Sequence, residues 1–414
     1  MQNFKEFLEA KPLYYKEIDH TRVHKAYSML KPHIKRPKTI HIVGTNGKGS
    51  TGRILAWLLA KIEDRGSRIE DRVEEDNQLS ALSSQLLANT VGHYSSPHIL
   101  EFNERIWIDG SNASDEVLQK AHERLYAILG CDMSEALSYF EYTTLLAFVV
   151  FEDCEYMVLE AGLGGEFDAT NVCDKELSII TPIDIDHQAF LGDTIEQIAT
   201  TKINSIQSKA LLAKQPHQEV YEVAKDIASQ KNATLYITKN SAHPRYKELQ
   251  AIAKNKGWAS YLVDNATLAI EALEILGVKY DLGALNSLEL FGRYYPLASN
   301  IRIDVGHNPL AAKVLKEAIT TPVVLIYNSL DDKDYKQVLS ILKPKLKRVQ
   351  IIPIHSQRAT TLQAIEDAIK SVGLEYSYFD GKLSDDEEYL VFGSFYVVEE
   401  FLKCSMDNTL CDIY

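Results

Sequence analysis

Cysteine is scarce in this chain and shows no pairing pattern. The five cysteines are scattered, and none belongs to a Cys-x-x-Cys pair. This spacing argues against a disulfide framework and a zinc site, and it is typical of reduced thiols. No apolar run is long enough to span a bilayer, and the first residues lack the apolar core of a signal peptide. We therefore expect a cytoplasmic protein that does not contact a membrane.

Positive charge is also in short supply. The chain carries 44 Lys and Arg residues against 58 Asp and Glu residues, which gives a formal net charge of −14. Nucleic-acid binding depends on a broad positive potential, so we expect no nucleic-acid partner. The content of 45% hydrophobic and 25% charged residues is that of an ordinary globular protein. A length of 414 residues exceeds one ordinary core and predicts two domains.

The strongest motif is a glycine-rich turn between an apolar strand pattern and a helical pattern. The strand pattern ends at Val43, and an apolar helical stripe begins at Ile54. Strand, glycine loop and helix together bind phosphates, because backbone N–H groups and the helix N-terminus face the anion. The residues of this candidate ATP site are Gly44, Thr45, Asn46, Gly47, Lys48, Gly49, Ser50 and Thr51.

The chemistry of this turn fits a nucleotide, although its spacing is unusual. Lys48 can reach the terminal phosphates, and Ser50 or Thr51 can ligate Mg²⁺. Only two residues separate Gly44 from Gly47, whereas the common pattern has four, and Gly49 stands between Lys48 and Ser50. The alternative is an ordinary glycine turn without a ligand.

The stretch Gly-Thr-Asn-Gly-Lys-Gly-Ser resembles the variant phosphate loop of the folylpolyglutamate synthase/dihydrofolate synthase family. That family belongs to the Mur-ligase group of ATP-dependent amide ligases. The resemblance covers nearly the whole chain. It implies an α/β fold, with a P-loop-type ATPase domain on a mostly parallel sheet and a smaller Rossmann-like C-terminal α/β domain. We expect residues 1–295 to hold the ATP and pterin or folate sites, and residues 296–414 to complete the ATP and glutamate sites.

A second strand pattern ends in a carboxylate. The apolar run from Tyr156 to Leu159 leads into Glu160, and glycines follow. An acid at the end of such a strand faces the phosphate loop and holds Mg²⁺, which prefers a few hard oxygen ligands. A lone glutamate at a strand end would be structural, but its pairing with the phosphate loop makes Glu160 the first predicted metal ligand.

The resemblance implies three further metal ligands and two Mg²⁺ sites. Ser96 would bind the first ion, although it could instead cap the turn before Pro97. His187 would bind the second ion, although a lone histidine is more often a hydrogen-bonded residue. Lys202 would bind the second ion as a carbamate, although its neighbours depart from the family pattern and a plain surface lysine is the alternative. Lys48, Glu160, His187 and Lys202 are the predicted catalytic residues.

The resemblance also implies the substrate contacts. Phe140 and Asp168 would lie at the pterin, although the pattern around Phe140 also fits a capped core helix, and Glu166 replaces the usual arginine. Asn265 would touch adenine, in a helix for which Asp264 is the predicted N-cap. The predicted residues that complete the ATP and glutamate sites are Arg293, Asp304, His307 and Ser394.

One charged segment departs from the pattern of the folylpolyglutamate synthase/dihydrofolate synthase family. Residues 62–89 form an insertion of roughly two dozen residues relative to the family, for which we consider a solvated helical excursion and a lid. The residues before position 37 predict a helical lead-in, with apolar positions that can pack one face.

The predicted function is ATP-dependent addition of L-glutamate to dihydropteroate, to folates, or to both, by a monomer. Three alternatives remain at this point. The first is a Mur-type ligase acting on a cell-wall nucleotide, the second is a P-loop kinase or nucleotide switch, and the third is a nucleotide-binding protein without ligase activity. The motif Gly-Lys-Gly and the pterin-site motifs argue against the first, and the intact charged residues argue against the third.

Overall fold

The computed structural model describes residues 3–12, 19, 21–61 and 90–406. The predicted excursion or lid at 62–89 therefore lies outside the described residues. The chain separates into an N-terminal unit, Met1–His243 with Asn265–Leu288, and a C-terminal unit, Pro244–Asp264 with Glu289–Tyr414. The predicted functional boundary after residue 295 stays a prediction. In the described ranges, no helix is both long enough and apolar enough to cross a bilayer.

The N-terminal unit is organised on one sheet of eight strands within its described residues. In chain order these are β1 (Lys38–Val43), β2 (Val91–Tyr94), β3 (Ile106–Ile108), β4 (Ser111–Asn112), β5 (Tyr156–Glu160), β6 (Leu177–Ile180), β7 (Lys209–Leu212) and β8 (Thr234–Ile237). Their order across the sheet is β4-β3-β2-β5-β1-β6-β7-β8. The strands from β2 to β8 in this order are parallel, and β3 and β4 add an antiparallel edge.

The central strand of this sheet is β1, which pairs with β5 on one side and β6 on the other. Ile40, Ile42 and Val43 are fully buried, as expected for a parallel strand covered on both faces. All residues of β5 are buried as well. Because the strands run parallel, their carboxyl ends meet at one edge of the sheet, and the loops that follow β1, β5 and β6 lie there together.

Helices connect these strands and cover the sheet. The described helices of this unit are α1 (Phe4–Glu9), α2 (Arg22–Leu30), α3 (Lys48–Ala60), α4 (Asp115–Ala136), α5 (Tyr139–Val150), α6 (Gln188–Leu191), α7 (Ile195–Ile203) and α8 (Gln218–Gln230). Helix α9 (Tyr246–Lys256) belongs to the C-terminal unit, and α10 (Ser260–Ile275) begins in the C-terminal unit and ends in the N-terminal unit. The helical lead-in predicted before residue 37 is confirmed by α1 and α2. One apolar core lies among α1, α2, α4 and α5, and another lies under α7 and α8.

Helix α5 begins with a reciprocal cap. The Ser138 hydroxyl accepts from the Glu141 backbone N–H at 3.2 Å, and the Glu141 carboxylate accepts from the Ser138 backbone N–H at 2.7 Å. Arg22 of α2 donates to the same carboxylate at 2.7 Å. The capped core helix considered from the sequence is therefore confirmed. It fixes the first turn of α5, which carries Phe140.

The C-terminal unit contains a second, mostly parallel sheet. Its described strands are β9 (Tyr295–Ala298), β10 (Ile301–Asp304), β11 (Val323–Tyr327), β12 (Leu346–Ile351), β13 (Tyr376–Tyr378) and β14 (Tyr389–Phe392). Their order is β13-β12-β11-β14-β10-β9, and only the β9–β10 pair is antiparallel among them. The helices of this region are α11 (Pro309–Ala318), α12 (Tyr335–Leu342), α13 (Leu362–Ser371) and α14 (Phe395–Met406). The α/β fold predicted for this part of the chain is confirmed.

The predicted start of α10 is wrong. The helix begins at Ser260, so Asp264 lies inside it and does not cap it. Buried positions Ala259, Leu262 and Val263 show that the apolar helical spacing starts before Asp264. The Asp264 carboxylate accepts from the Tyr246 hydroxyl at 3.0 Å.

Gly92 in β2 provides a test of how tightly the N-terminal sheet is packed. A Cβ at this position would collide with the Phe151 ring. Gly92→Ala should therefore lower the free energy of unfolding by about 1–3 kcal/mol, measured by urea denaturation. The double variant Gly92→Ala/Phe151→Leu should lose less free energy of unfolding than the two single variants lose together, because leucine leaves room where the phenylalanine ring had been. Strict additivity would contradict the packing described here.

Candidate active site

The phosphate-loop candidate joins the end of β1 to the start of α3. Two of its glycines have positive φ angles, 144° at Gly44 and 88° at Gly47, a region that side chains disfavour. A Cβ at Gly44 would also collide with the Thr181 hydroxyl, so the backbone of this loop passes close to the end of β6. The backbone N–H groups of Thr45 and Asn46 donate to the Pro182 carbonyl at 2.9 and 3.2 Å. The loop is thus held at the carboxyl edge of the sheet.

Ser50 lies in the first turn of α3 and connects the loop to α10. The Asn265 amide donates to the Ser50 hydroxyl at 2.8 Å, and that hydroxyl donates to the Gly47 carbonyl at 3.2 Å. A Cβ at Gly47 would lie 3.0 Å from Asn265 Oδ1. Asn265 therefore contacts the glycine loop itself. Its predicted adenine contact stays a prediction.

Glu160 and Lys48 lie together at the same edge. Parallel pairing places Glu160 beside Ile42, just before the glycine loop. The carboxylate is 5% exposed, and its Oε1 lies 4.0 Å from Lys48 Nζ. Its Oε2 accepts from the backbone N–H of Ser96 at 3.4 Å, which brings the turn before Pro97 to the same point. Three residues predicted from separate motifs therefore meet here.

Lys202 points inward from α7 to the glycine loop. Its side chain is buried, and Nζ donates to the Gly44 carbonyl at 3.0 Å. Lys48 Nζ donates to the same carbonyl at 3.2 Å. The alternative of a plain surface lysine is wrong, because α7 packs against the loop after Glu160: a Cβ at Gly165 would collide with the Lys202 carbonyl oxygen. Two amino groups converge on one oxygen, and their combined charge favours an anion beside them.

His187 occupies the loop after β6. It has a left-handed backbone conformation, with φ of 55°, and its backbone N–H donates to the Asp186 carboxylate at 2.9 Å. Its side chain is half-buried. The short helix α6 that it precedes packs near the glycines after Glu160, since a Cβ at Gly164 would lie 3.1 Å from Leu191 Cδ2.

The two predicted pterin residues lie around the loop that follows Glu160. The Phe140 ring packs on Gly162, where a Cβ would lie 2.6 Å from the ring's Cζ. Asp168 is buried, and it accepts from the backbone N–H groups of Leu163 at 2.8 Å and Thr170 at 3.0 Å. Burial raises the pKa of Asp168, while these donors act in the opposite direction. The carboxylate thus organises this loop.

The donor set at this edge fits Mg²⁺. It comprises the Glu160 carboxylate with Ser50 and Ser96. Thr51 follows Ser50 in α3, and its buried hydroxyl has no hydrogen-bond partner among the described residues. Within the described ranges, no three His, Cys, Asp or Glu side chains are grouped closely enough to hold an ion by themselves. Mg²⁺ is usually bound by one or two carboxylates together with substrate phosphates and water, so a single carboxylate beside a phosphate loop is an adequate protein contribution.

The C-terminal unit places its predicted residues at the carboxyl ends of β10 and β14. The buried Asp304 carboxylate accepts from the Tyr261 hydroxyl at 3.0 Å and from the backbone N–H groups of Tyr294 and Gly306, each at 2.8 Å. Burial raises the pKa of Asp304, and the nearby Arg293 charge partly opposes that shift. Asp304 therefore anchors the start of the loop that carries His307.

The remaining two residues lie near this loop. The Arg293 guanidinium lies 5.6 Å from the centroid of the Phe395 ring, at the start of α14. The buried Ser394 hydroxyl accepts from the Val397 backbone N–H at 3.2 Å and so caps α14. A backbone hydrogen bond of 3.2 Å from Gly393 to Gly306 joins the loops that carry Ser394 and His307. These contacts lie within the C-terminal unit.

Sequence reasoning missed two residues of this region. His41 on β1 and Thr170 after Asp168 are fully buried and hydrogen-bonded to each other at 2.8 Å. The sequence feature that could have indicated His41 is that it is the one polar residue in the otherwise apolar stretch Ile40–Val43.

Comparison with known proteins supplies the family. No family model matches the chain. Dihydrofolate synthase/folylpolyglutamate synthase of Haemophilus influenzae is 29% identical over 416 residues, covering 88% of each chain. The structure of bifunctional folylpolyglutamate synthase/dihydrofolate synthase from Yersinia pestis, complexed with AMPPNP and Mn ion, has a TM-score of 0.76 and 23% identity, and covers 97% of this chain and 96% of its own. At that identity it shows the fold alone.

Helicobacter pylori folylpolyglutamate synthetase is more similar in sequence. Its crystal structure is 38% identical to this chain, with a TM-score of 0.73, and the alignment covers 98% of each chain. The alignment thus runs through both sheets. From this identity over its whole length, the chain belongs to the folylpolyglutamate synthase/dihydrofolate synthase family.

Proposed function

We propose that this protein is an ATP-dependent ligase that joins the amino group of L-glutamate to the carboxylate of dihydropteroate, of reduced folates, or of both. The observation that carries the proposal is the 4.0 Å distance between Lys48 Nζ, at the start of α3, and Glu160 Oε1, at the end of the strand that pairs with β1. A lysine, a buried carboxylate and a glycine loop at one edge can hold a nucleotide with its metal ion. Membership of the family supports glutamate as the amine.

The reaction must first convert an oxygen of the substrate carboxylate, which is a poor leaving group, into phosphate, which is a good one. An oxygen of the substrate carboxylate attacks the γ-phosphorus of ATP, the bond to the bridging oxygen of ADP breaks, and an acyl phosphate forms. The glutamate nitrogen then attacks the acyl carbon and loses a proton. The C–O bond breaks, and phosphate leaves with the oxygen that had belonged to the carboxylate. The protein contributes positioning and charge stabilisation to both steps.

The side chains at the sheet edge have separate tasks in this scheme. Lys48 stabilises the charge on the β- and γ-phosphates, and the glycine loop orients them through its N–H groups. Ser50 or Thr51, Ser96 and Glu160 would hold one Mg²⁺. Glu160, His187 and Lys202 would hold a second. Bound Mg²⁺ supplies charge neutralisation on the phosphate oxygens.

Lys202 would bind the second ion as a carbamate. The neutral amine adds to CO₂ and loses one proton, which leaves a nitrogen with one N–H and a terminal carboxylate. The remaining N–H can still donate to the Gly44 carbonyl, as Nζ does at 3.0 Å. The modification therefore keeps the present contact and changes the local charge from positive to negative.

The substrate contacts of the proposal are assigned to both units. Phe140 and Asp168 would bind the pterin end. Asn265, Arg293, Asp304 and His307 would contribute to the ATP site, and Ser394 would contribute to the glutamate site. A cell-wall nucleotide as substrate, a kinase reaction, and nucleotide binding without ligation are the outcomes that would replace this proposal.

The direct test is phosphate release from Mg-ATP with L-glutamate and either dihydropteroate or a reduced folate. We expect release only when glutamate and one of these acceptors are both present, and a new amide product by mass spectrometry. Glu160→Gln should lose at least about a hundredfold in rate, because it removes the metal-binding charge. Glu155→Gln is the matched control, since Glu155 pairs with Lys38 at the surface end of β5 and should have wild-type activity. Phosphate release at the same rate with and without either acceptor would overturn the proposal.

The role of Lys202 has its own test. Lys202→Ala should lose ligase activity, and a short carboxylate such as acetate should restore part of it by replacing the missing oxygen ligand. Lys209→Ala, at the exposed start of β7, is the control and should retain wild-type ligase activity without added carboxylate. Full activity of Lys202→Ala without added carboxylate would contradict a metal-binding carbamate.

A further inference from the structure

A buried hydrogen-bond chain runs from the strand of the phosphate loop to the loop after Glu160. It begins at His41 on β1, whose Nε2 lies 2.8 Å from the Thr170 hydroxyl. The Thr170 hydroxyl lies 2.5 Å from Asp168 Oδ1. His41 and Thr170 are 0% exposed and Asp168 is 7% exposed. None of these contacts is explained by the strand pairing of the sheet.

The direction of each hydrogen bond in the chain follows from the available protons. Burial raises the pKa of Asp168, but both carboxylate oxygens already accept from backbone N–H groups, Oδ2 from Leu163 and Oδ1 from Thr170. Two N–H donors, one on each oxygen, fit the ionised, acceptor-only form. The Thr170 hydroxyl must then donate its single proton to Asp168. The hydroxyl can only accept from His41, so His41 Nε2 carries a proton.

The other side of the His41 ring is consistent with this assignment. Its Nδ1 is buried and has no hydrogen-bond partner among the described residues. Burial lowers the pKa of His41 well below its ordinary value, and the Lys175 charge acts in the same direction. The ring is therefore neutral, with its one proton on Nε2.

The chain ends at a residue that holds the substrate loop. Asp168 Oδ2 fixes the Leu163 N–H, directly after the glycine on which the Phe140 ring packs. Gly165 of the same loop packs against the Lys202 backbone. Displacing the Asp168 carboxylate would therefore displace the surface beside Phe140.

We propose that His41 is a positioning residue for the pterin end of the substrate, acting through Thr170 on the Asp168 carboxylate. The same strand β1 would then hold the nucleotide loop at its carboxyl end and the substrate loop through its His41 side chain. This assignment rests on the proposed function, in which Phe140 and Asp168 bind the pterin. It predicts that loss of His41 weakens binding of the pterin substrate and leaves ATP binding unchanged.

Two pairs of variants test the proposal by steady-state kinetics. His41→Met and Thr170→Val delete a link, and each should raise the KM for the pterin substrate roughly tenfold, with the KM for ATP within about twofold of wild type. His41→Gln, which keeps an N–H near the Nε2 position, and Thr170→Ser, which keeps the hydroxyl, should restore most of the affinity. Rescue by these conservative changes separates positioning from general destabilisation.

Thr39→Val is the matched control. Thr39 lies on the same face of β1, is also 0% exposed, and donates its hydroxyl to the Pro37 carbonyl at 3.0 Å. Removing the Thr39 hydroxyl should lower the free energy of unfolding without changing the KM for the pterin substrate or the KM for ATP. Wild-type KM values in His41→Met, or an equal rise of both KM values in His41→Met and Thr39→Val, would overturn the proposal.

A second measurement does not depend on enzymatic activity, and it reads the His41 ring in the wild-type protein. Nitrogen-15 NMR of histidine-labelled wild-type protein, with His41 assigned by comparison with His41→Gln, should show a neutral ring protonated at Nε2 at neutral pH. A ring protonated at Nδ1, or a charged ring, would refute the hydrogen-bond chain. If the wild-type protein does not ligate glutamate, the proposed function fails, while the tautomer still decides whether this chain exists.

Discussion

The pairing of β1 with β5 is the constraint on which the site depends. It places the glycine loop and the Glu160 carboxylate at adjacent strand ends, with Lys48 Nζ 4.0 Å from Glu160 Oε1. No loop geometry could achieve this alone, because the two residues are more than a hundred positions apart in the sequence. Apart from Lys38 at the start of β1, every residue of these two strands is buried, and their pairing fixes the distance between the phosphate-binding and metal-binding groups.

Burial of this pair also determines its chemistry. A carboxylate that is 5% exposed interacts more strongly with nearby charges than one in water. The cost is the lost hydration of Glu160, which a nearby lysine, an N–H donor and a bound cation can offset. An acyl phosphate is open to hydrolysis, so a reaction that forms one needs a site from which water is excluded. A buried charged edge serves both requirements.

The parts of the structure that depend on local pattern could be predicted from the sequence. The strand before the glycine loop and α3 follow from apolar runs and turn residues, and apolar runs also mark β11 and β14, which are buried throughout. The meeting of Glu160 with the phosphate loop followed from the rule that parallel strands end at one edge.

What depends on long-range packing could not be predicted. The burial of Lys202 against Gly44 required the position of α7, which its sequence neighbours do not encode. The link between His41 and Thr170 joins residues 129 positions apart and needs the sheet order to be known. The early start of α10 was missed because Asp264 is a good capping residue, although the apolar spacing had already begun upstream.

In the proposed reaction, the γ-phosphoryl group of ATP passes to the substrate carboxylate and not to water. The most direct measurement uses dihydropteroate or reduced folate labelled with oxygen-18 in the reacting carboxylate, and follows the label by mass spectrometry of the released phosphate. We expect one labelled oxygen in each released phosphate and one in each amide product. Unlabelled phosphate, released at the same rate as product, would contradict the proposed reaction.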